Sequence, residues 1–183
     1  MTRFRRLIVR MLWASLIGIP LLLIGTYWLN PLGAQSWDPR ERITGFGVYR
    51  TPSSSMQPTF APGQILITRA GHAGVRHLQR GDVIVRKVPE EVGQLWLQRI
   101  VGLPGETVSI VEGRLHIDGV PVAEPYLDPD NIRTPYSRTL SPVRVPPEHY
   151  FMLGDNRDNS ADSRMMAMAR RQDIIARVIA RFQ

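Results

Sequence analysis

The chain has no cysteine and a single lysine, Lys87, although Lys and Arg together number 23. The first absence excludes disulfides and thiolate chemistry and leaves the redox compartment open. The second makes the basic balance, +7 at pH 7, almost wholly arginine, a side chain that stays protonated and cannot serve as a general base. Histidine is scarce too. His72, His77, His116 and His149 are scattered, and no Cys/His spacing suits a metal ion, so neither a metal nor a cofactor is expected. A basic chain can bind nucleic acid, but helix-turn-helix, zinc-ligand and RNA-binding patterns are all missing, and no nucleic-acid partner is expected.

Charge is also missing from one long run. Residues 11–29, MLWASLIGIPLLLIGTYWL, are nineteen in a row without it, close to the roughly 20 needed to cross a ~30 Å hydrocarbon core. Pro20 is placed to kink such a helix, and Trp13, Tyr27 and Trp28 fit the two interfacial belts. Arg3, Arg5, Arg6 and Arg10 precede the run, whereas acidic and basic residues mix after it. The positive-inside rule puts residues 1–10 in the cytoplasm as a basic tail, 11–29 across the cell membrane as a single pass, and the rest outside. A cleaved signal peptide usually has a shorter apolar region of 7–15 residues, followed by a small-x-small site. Leu32-Gly33-Ala34 is a poor version of that site. A lipid bilayer is therefore the expected partner of this end, with anionic headgroups suiting the arginines.

Residues 30–45, with Pro31, Gly33 and Pro39, read as a linker, and 46–183 as one extracytoplasmic domain. Short apolar, β-branched runs recur in it at 64–68, 82–88, 95–101, 107–111, 114–117, 120–122 and 150–153. Glu112-Gly113 and Asp118-Gly119 mark tight hairpins. The six prolines between 124 and 148 predict a long, mostly irregular excursion. The fold class is mainly β, a barrel or a sandwich. The end of the chain is ambiguous: Ile174, Ile175, Val178, Ile179 and Phe182 form a helical stripe, yet alternate residues from Ile174 to Phe182 also fit a strand.

Two polar runs fit neither period. Residues 52–59 read PSSSMQPT, and 154–164 read GDNRDNSADSR. Taken singly, the first is a common solvated loop. The second is acidic enough to suggest a calcium loop, but it lacks the EF-hand spacing and terminal glutamate. Together with LQRIVGLPGE at 97–106 they closely resemble the signature segments of bacterial signal peptidase I (leader peptidase), a membrane-anchored serine endopeptidase that uses a Ser–Lys pair. The resemblance implies a β domain tethered by one helix and favours a strand at the C-terminus. It makes Ser55 the nucleophile and Ser53 an oxyanion donor beside the Ser55 N–H. Ser160 becomes the hydroxyl that orients the base, and Asp162 with Arg164 or Arg99 a supporting ion pair. Met56 and Trp96 become contacts to substrate or membrane. The implied partners are exported preproteins, bound extended with small residues before the cut.

One position departs from the pattern. The family's general-base lysine belongs immediately before Arg99, and this chain has Gln98 there. An amide has no lone pair that titrates in a useful range, and losing a general base costs on the order of 10²–10⁴ in rate. Lys87, at the solvated end of a strand and outside this slot, is a poor surrogate. The sequence therefore predicts a signal peptidase I-type endopeptidase. The alternative is a catalytically impaired homologue that binds signal peptides or assists assembly of exported proteins. From sequence alone, Gln98→Lys is expected to raise cleavage by about 100-fold or more.

Overall fold

A computed structural model describes residues 3–89 and 93–182. Its first element is a helix, α1 (Arg3–Leu29), within which Arg5–Leu29 has a mean hydropathy of 2.2 and leaves its apolar side chains unburied by the rest of the chain. At about 1.5 Å rise per residue, it is long and apolar enough to cross a membrane. The arginines expected as a separate tail belong, from Arg3 on, to the same helix, and Pro20 lies inside it.

Residues 30–45 are more ordered than their proline and glycine suggest. Asn30 closes the turn after α1, donating to the Ala34 carbonyl at 2.9 Å and accepting from the Ala34 N–H at 3.0 Å. A short helix, α2 (Pro39–Thr44), then starts on an Asp38 cap with proline in its first turn and stops at Gly45, whose φ is 76°. Arg42 lies 4.0 Å from the ring centre of Trp37 and 5.1 Å from that of Tyr27. Buried Glu41 accepts from the Tyr49 hydroxyl at 2.6 Å and from the Ser36 hydroxyl. The end of the apolar helix is thus tied to the domain through side chains.

The domain runs through β1 (Phe46–Arg50), β2 (Ile65–Ala70), α3 (Gly71–Val75), β3 (Val83–Lys87), β4 (Leu95–Gly102), β5 (Thr107–Val111), β6 (Arg114–Ile117) and β7 (Val120–Pro121). It continues through α4 (Pro135–Arg138), β8 (Leu140–Arg144), β9 (His149–Leu153), β10 (Ala169–Arg170) and β11 (Ile174–Phe182). Seven strands form one sheet in the order β1-β2-β11-β3-β4-β9-β10 and four form a second, β7-β6-β5-β8, all antiparallel. The expected barrel or sandwich is realised as these two sheets. Their shared core joins Val101, Phe151 and Leu153 of the larger to Val108, Ile110 and Leu115 of the smaller.

One feature differs from expectation, and one reading left open by the sequence is resolved as the strand that the resemblance favours. The 124–148 excursion contributes β8, whose Pro142 is tolerated because β8 is an edge strand that need not donate on both sides. The C-terminus is a strand between β2 and β3, and irregularities between Ile174 and Ala176 and between Val178 and Ala180 break its alternation. A bulge shifts the side-chain phase by one residue, which is why a helical stripe could be read there.

The larger sheet is covered on both faces. Val83, Val85 and Leu97 face a cluster with Met56, Phe60, Leu66 and Ile175; Ile84 and Ile100 face one with Tyr150, Met152 and Ile174. At the end of β4, where the chain leaves the larger sheet for the smaller, Gly102 leaves no room: a Cβ there would stand 2.9 Å from the Phe151 Cβ and closer still to Val108. Gly102→Ala is expected to cost about 1–3 kcal/mol by overpacking. Thermal denaturation of the full-length protein in detergent checks this, and an unchanged midpoint would show that the sheets do not meet so closely.

Candidate active site

The register of the central strands sets one wall of the site. Ile84 lies opposite Gln98 and Arg86 opposite Trp96, so these four side chains share a face of the β3–β4 pair. The serine loop is pinned at its base by Thr51, whose N–H donates to Gln64 and whose carbonyl accepts from Gly63. Within it, the Ser53 hydroxyl donates to the Ser55 Oγ at 3.1 Å, and the Ser55 N–H lies 3.4 Å from the Ser53 Oγ.

The late polar run lies over this loop. The Asn156 N–H donates to the Ser55 carbonyl at 2.9 Å, the Asn156 amide to the Ser54 carbonyl at 3.3 Å, and the Asn159 amide to the Ser54 hydroxyl at 3.0 Å. Gly154 permits the approach, because a Cβ there would stand 2.6 Å from the Ser55 carbonyl and would collide with the Ser160 hydroxyl. The result is a cleft of about 380 Å³ whose lining includes Ser53, Ser55, Trp96, Gln98, Asn159 and Ala161. A larger groove, about 760 Å³, opens on the second sheet beside Leu115, Val122 and Ile132. It contains none of the signature residues, so chemistry rather than size identifies the smaller cleft.

Gln98 is held at both ends of its amide. Its Oε1 accepts from the Arg86 Nε at 2.8 Å and its Nε2 donates to the Ala161 carbonyl at 2.9 Å. No carboxylate, imidazole or amine lines the cleft among the described residues. Lys87 is turned elsewhere, its Nζ donating to the Gln35 carbonyl at 3.1 Å. The Ser160 Oγ is buried without a hydrogen-bond partner among the described residues.

Behind the cleft the charges pair. Asp162 and Arg164 are both buried, 2.7 Å apart, and Asp162 also accepts from the Gly154 N–H at 3.1 Å. Arg164 stacks 3.9 Å from the ring centre of Tyr136, whose hydroxyl donates to the Ser160 carbonyl at 2.9 Å. Arg99 pairs with Asp155 at 2.5 Å rather than with Asp162, and donates to the Gly81 carbonyl at 2.7 Å. Burial disfavours the Arg99 charge, but the Asp155 contacts outweigh it and hold its pKa above the ordinary value.

The residues picked from sequence therefore separate into groups. Ser53, Ser55, Trp96 and Gln98 line one cleft, with Ser160, Asp162, Arg164 and Arg99 packed around it. Met56 does not join them as a surface contact. It is fully buried in the core beneath the serine loop, because the turn at 56–60 folds its side chain against Phe60 and Leu66. Sequence reasoning missed Arg86, Asp155, Asn156 and Ala161. Only Arg86 left a signal, as a charge directly after the apolar run Val83-Ile84-Val85 at a buried position of β3.

A sequence model described as signal peptidase, peptidase S26, matches residues 41–183. The chain belongs to the peptidase S26 family. It is 37% identical over 138 residues to a signal peptidase I of Leptolyngbya laminosa, covering 72% of this chain and 66% of that one. Against signal peptidase I T of Bacillus subtilis it is 36% identical over 125 residues, covering 65% and 64%. The chain thus spans just under two thirds of these relatives' length. A crystal structure of a signal peptidase I from Enterococcus faecalis superimposes with a TM-score of 0.51 at 31% identity, covering 58% of this chain and 99% of that one.

In this S26 domain, Asp162 is the carboxylate whose loss would leave Arg164 charged and buried. Asp162→Ala is expected to cost about 3–5 kcal/mol. Equilibrium unfolding checks it; a cost under about 1 kcal/mol, the range of exposed pairs, would mean the pair is solvated.

Proposed function

We propose that this protein is a membrane-anchored serine endopeptidase of the signal peptidase I type, which removes signal peptides from exported preproteins. The reading rests on the Ser53–Ser55 hydroxyl pair in a cleft capped by the 154–164 loop. An extended peptide would lie along the cleft with a small residue before the scissile bond. The Ser55 Oγ attacks the carbonyl carbon and gives up its proton, while the Ser55 N–H and the Ser53 hydroxyl hold the developing oxyanion, a donor of this kind being worth about 2.7–4 kcal/mol. Collapse breaks the C–N bond, and the departing amine takes a proton. Water then hydrolyses the Ser55 ester, restoring the hydroxyl and releasing the new carboxyl end.

Among the described residues, no carboxylate, imidazole or amine lining the cleft can receive the Ser55 proton, and we take water as its acceptor. We expect catalysis slower by about 10²–10⁴ than with a lysine base. The locked amide of Gln98 also favours a second reading, in which the cleft binds signal peptides and does not cut them. We place the N-terminus in the cytoplasm and the domain outside, on the arginine asymmetry around α1.

Two experiments test these statements. Full-length protein in detergent should process an Ala-x-Ala preprotein slowly, and Ser55→Ala should abolish processing while leaving peptide binding intact. Processing untouched by Ser55→Ala would overturn the nucleophile assignment, and binding with no processing at any pH would establish the second reading. Because the chain lacks cysteine, Arg114→Cys provides a single thiol. It should react with a membrane-impermeant maleimide on intact spheroplasts, and protection until lysis would reverse the orientation.

A further inference from the structure

The amide at position 98 is oriented by groups that admit one arrangement. A guanidinium N–H can only donate, and a backbone carbonyl can only accept. Arg86 Nε at 2.8 Å therefore fixes the oxygen end of Gln98, and the Ala161 carbonyl at 2.9 Å fixes the nitrogen end. Arg86 cannot turn away easily, being 2% exposed on a face of the strand pair that it shares with Trp96 and Gln98. With one oxygen lone pair engaged by a cation and one N–H by a carbonyl, Gln98 keeps its second N–H as the donor it can offer the cleft, while its remaining oxygen lone pair stays beside the guanidinium.

We infer that Arg86 is a positioning residue for this site, which makes position 98 a fixed hydrogen-bond donor to a peptide carbonyl and prevents that position from taking a proton. This rests on the reading of the cleft as a peptidase site and changes what a restored lysine would do. A protonated amine at 98 would face the Arg86 guanidinium as a like charge. A neutral amine would have its lone pair occupied by the Arg86 N–H, the same lone pair needed to receive the Ser55 proton. The expectation that Gln98→Lys alone restores a base is thereby revised: the guanidinium must be removed as well.

The test is a double-mutant cycle on preprotein cleavage by the full-length protein in detergent. Arg86→Met/Gln98→Lys should exceed the native rate by about 100-fold or more, the gain of a general base, whereas Gln98→Lys alone should give less than about a tenth of that gain. Equal gains from the single and double variants would overturn the inference. Its second arm needs no activity, so failure of the peptidase reading leaves it decisive. In protein labelled with 15N-glutamine, the Gln98 side-chain signals, assigned by their loss in Gln98→Lys, should exchange with solvent at least about tenfold faster in Arg86→Met, as expected for loss of a hydrogen bond to a charged group. Arg86→Lys, which keeps a cationic donor, should retain protection. Arg86→Gln replaces the methionine variant if that does not fold, since it too removes the guanidinium. Exchange unchanged in the variants lacking the cation would overturn the inference whether or not the protein cleaves anything.

Discussion

The site depends on a backbone contact between two loops distant in sequence, the Asn156 N–H donating to the Ser55 carbonyl at 2.9 Å. That contact needs Gly154, whose missing side chain lets the late loop descend onto the serine loop. The same glycine's N–H is received by Asp162, which in turn neutralises Arg164. The serine loop, the 154–164 loop and the buried ion pair are therefore one mechanical unit. A displacement at any of them is transmitted to the Ser55 backbone, because buried polar groups in such a network have no water to fall back on.

The arginine excess has an internal use. Arg99 with Asp155, Arg157 with Glu124 and Arg164 with Asp162 are pairs in which both partners are largely withdrawn from solvent. Guanidinium suits this role because its planar fork meets both oxygens of a carboxylate and it never loses its proton. Arg99 ties the 154–164 loop to β4, Arg157 ties that loop to Glu124, and Arg164 braces the loop internally. Arg86 applies the same rigid donor geometry to a neutral amide, and at that position the arginine governs chemistry as well as packing. A basic chain with no nucleic-acid pattern is thereby given a physical reason for much of its charge.

Beyond the domain, the link to α1 is a folded connection. The Asn30 turn, the Arg42 stack on Trp37 and Tyr27, and the burial of Glu41 under Tyr49 hold the end of the apolar helix against β1. A cleft carried on such a connection keeps a set height and orientation relative to the helix.

Most strands were legible in the sequence, since β-branched runs between glycine turns leave a local pattern. So were the apolar helix and the two polar loops, because their composition fits no buried element. What stayed hidden arises from partners far away in the chain. α2 and β8 sit in proline-containing segments that read as irregular, and they are ordered by Glu41 in its buried pocket and by pairing with β5. The resemblance makes Met56 a surface contact, yet it is buried because the turn folds back on Phe60 and Leu66. At position 98 the sequence alone determined that an amide replaces a titratable amine, a fact of covalent chemistry. Which way that amide points, and that a guanidinium from the neighbouring strand holds it there, was decided by strand register, which brings together residues that no local pattern connects.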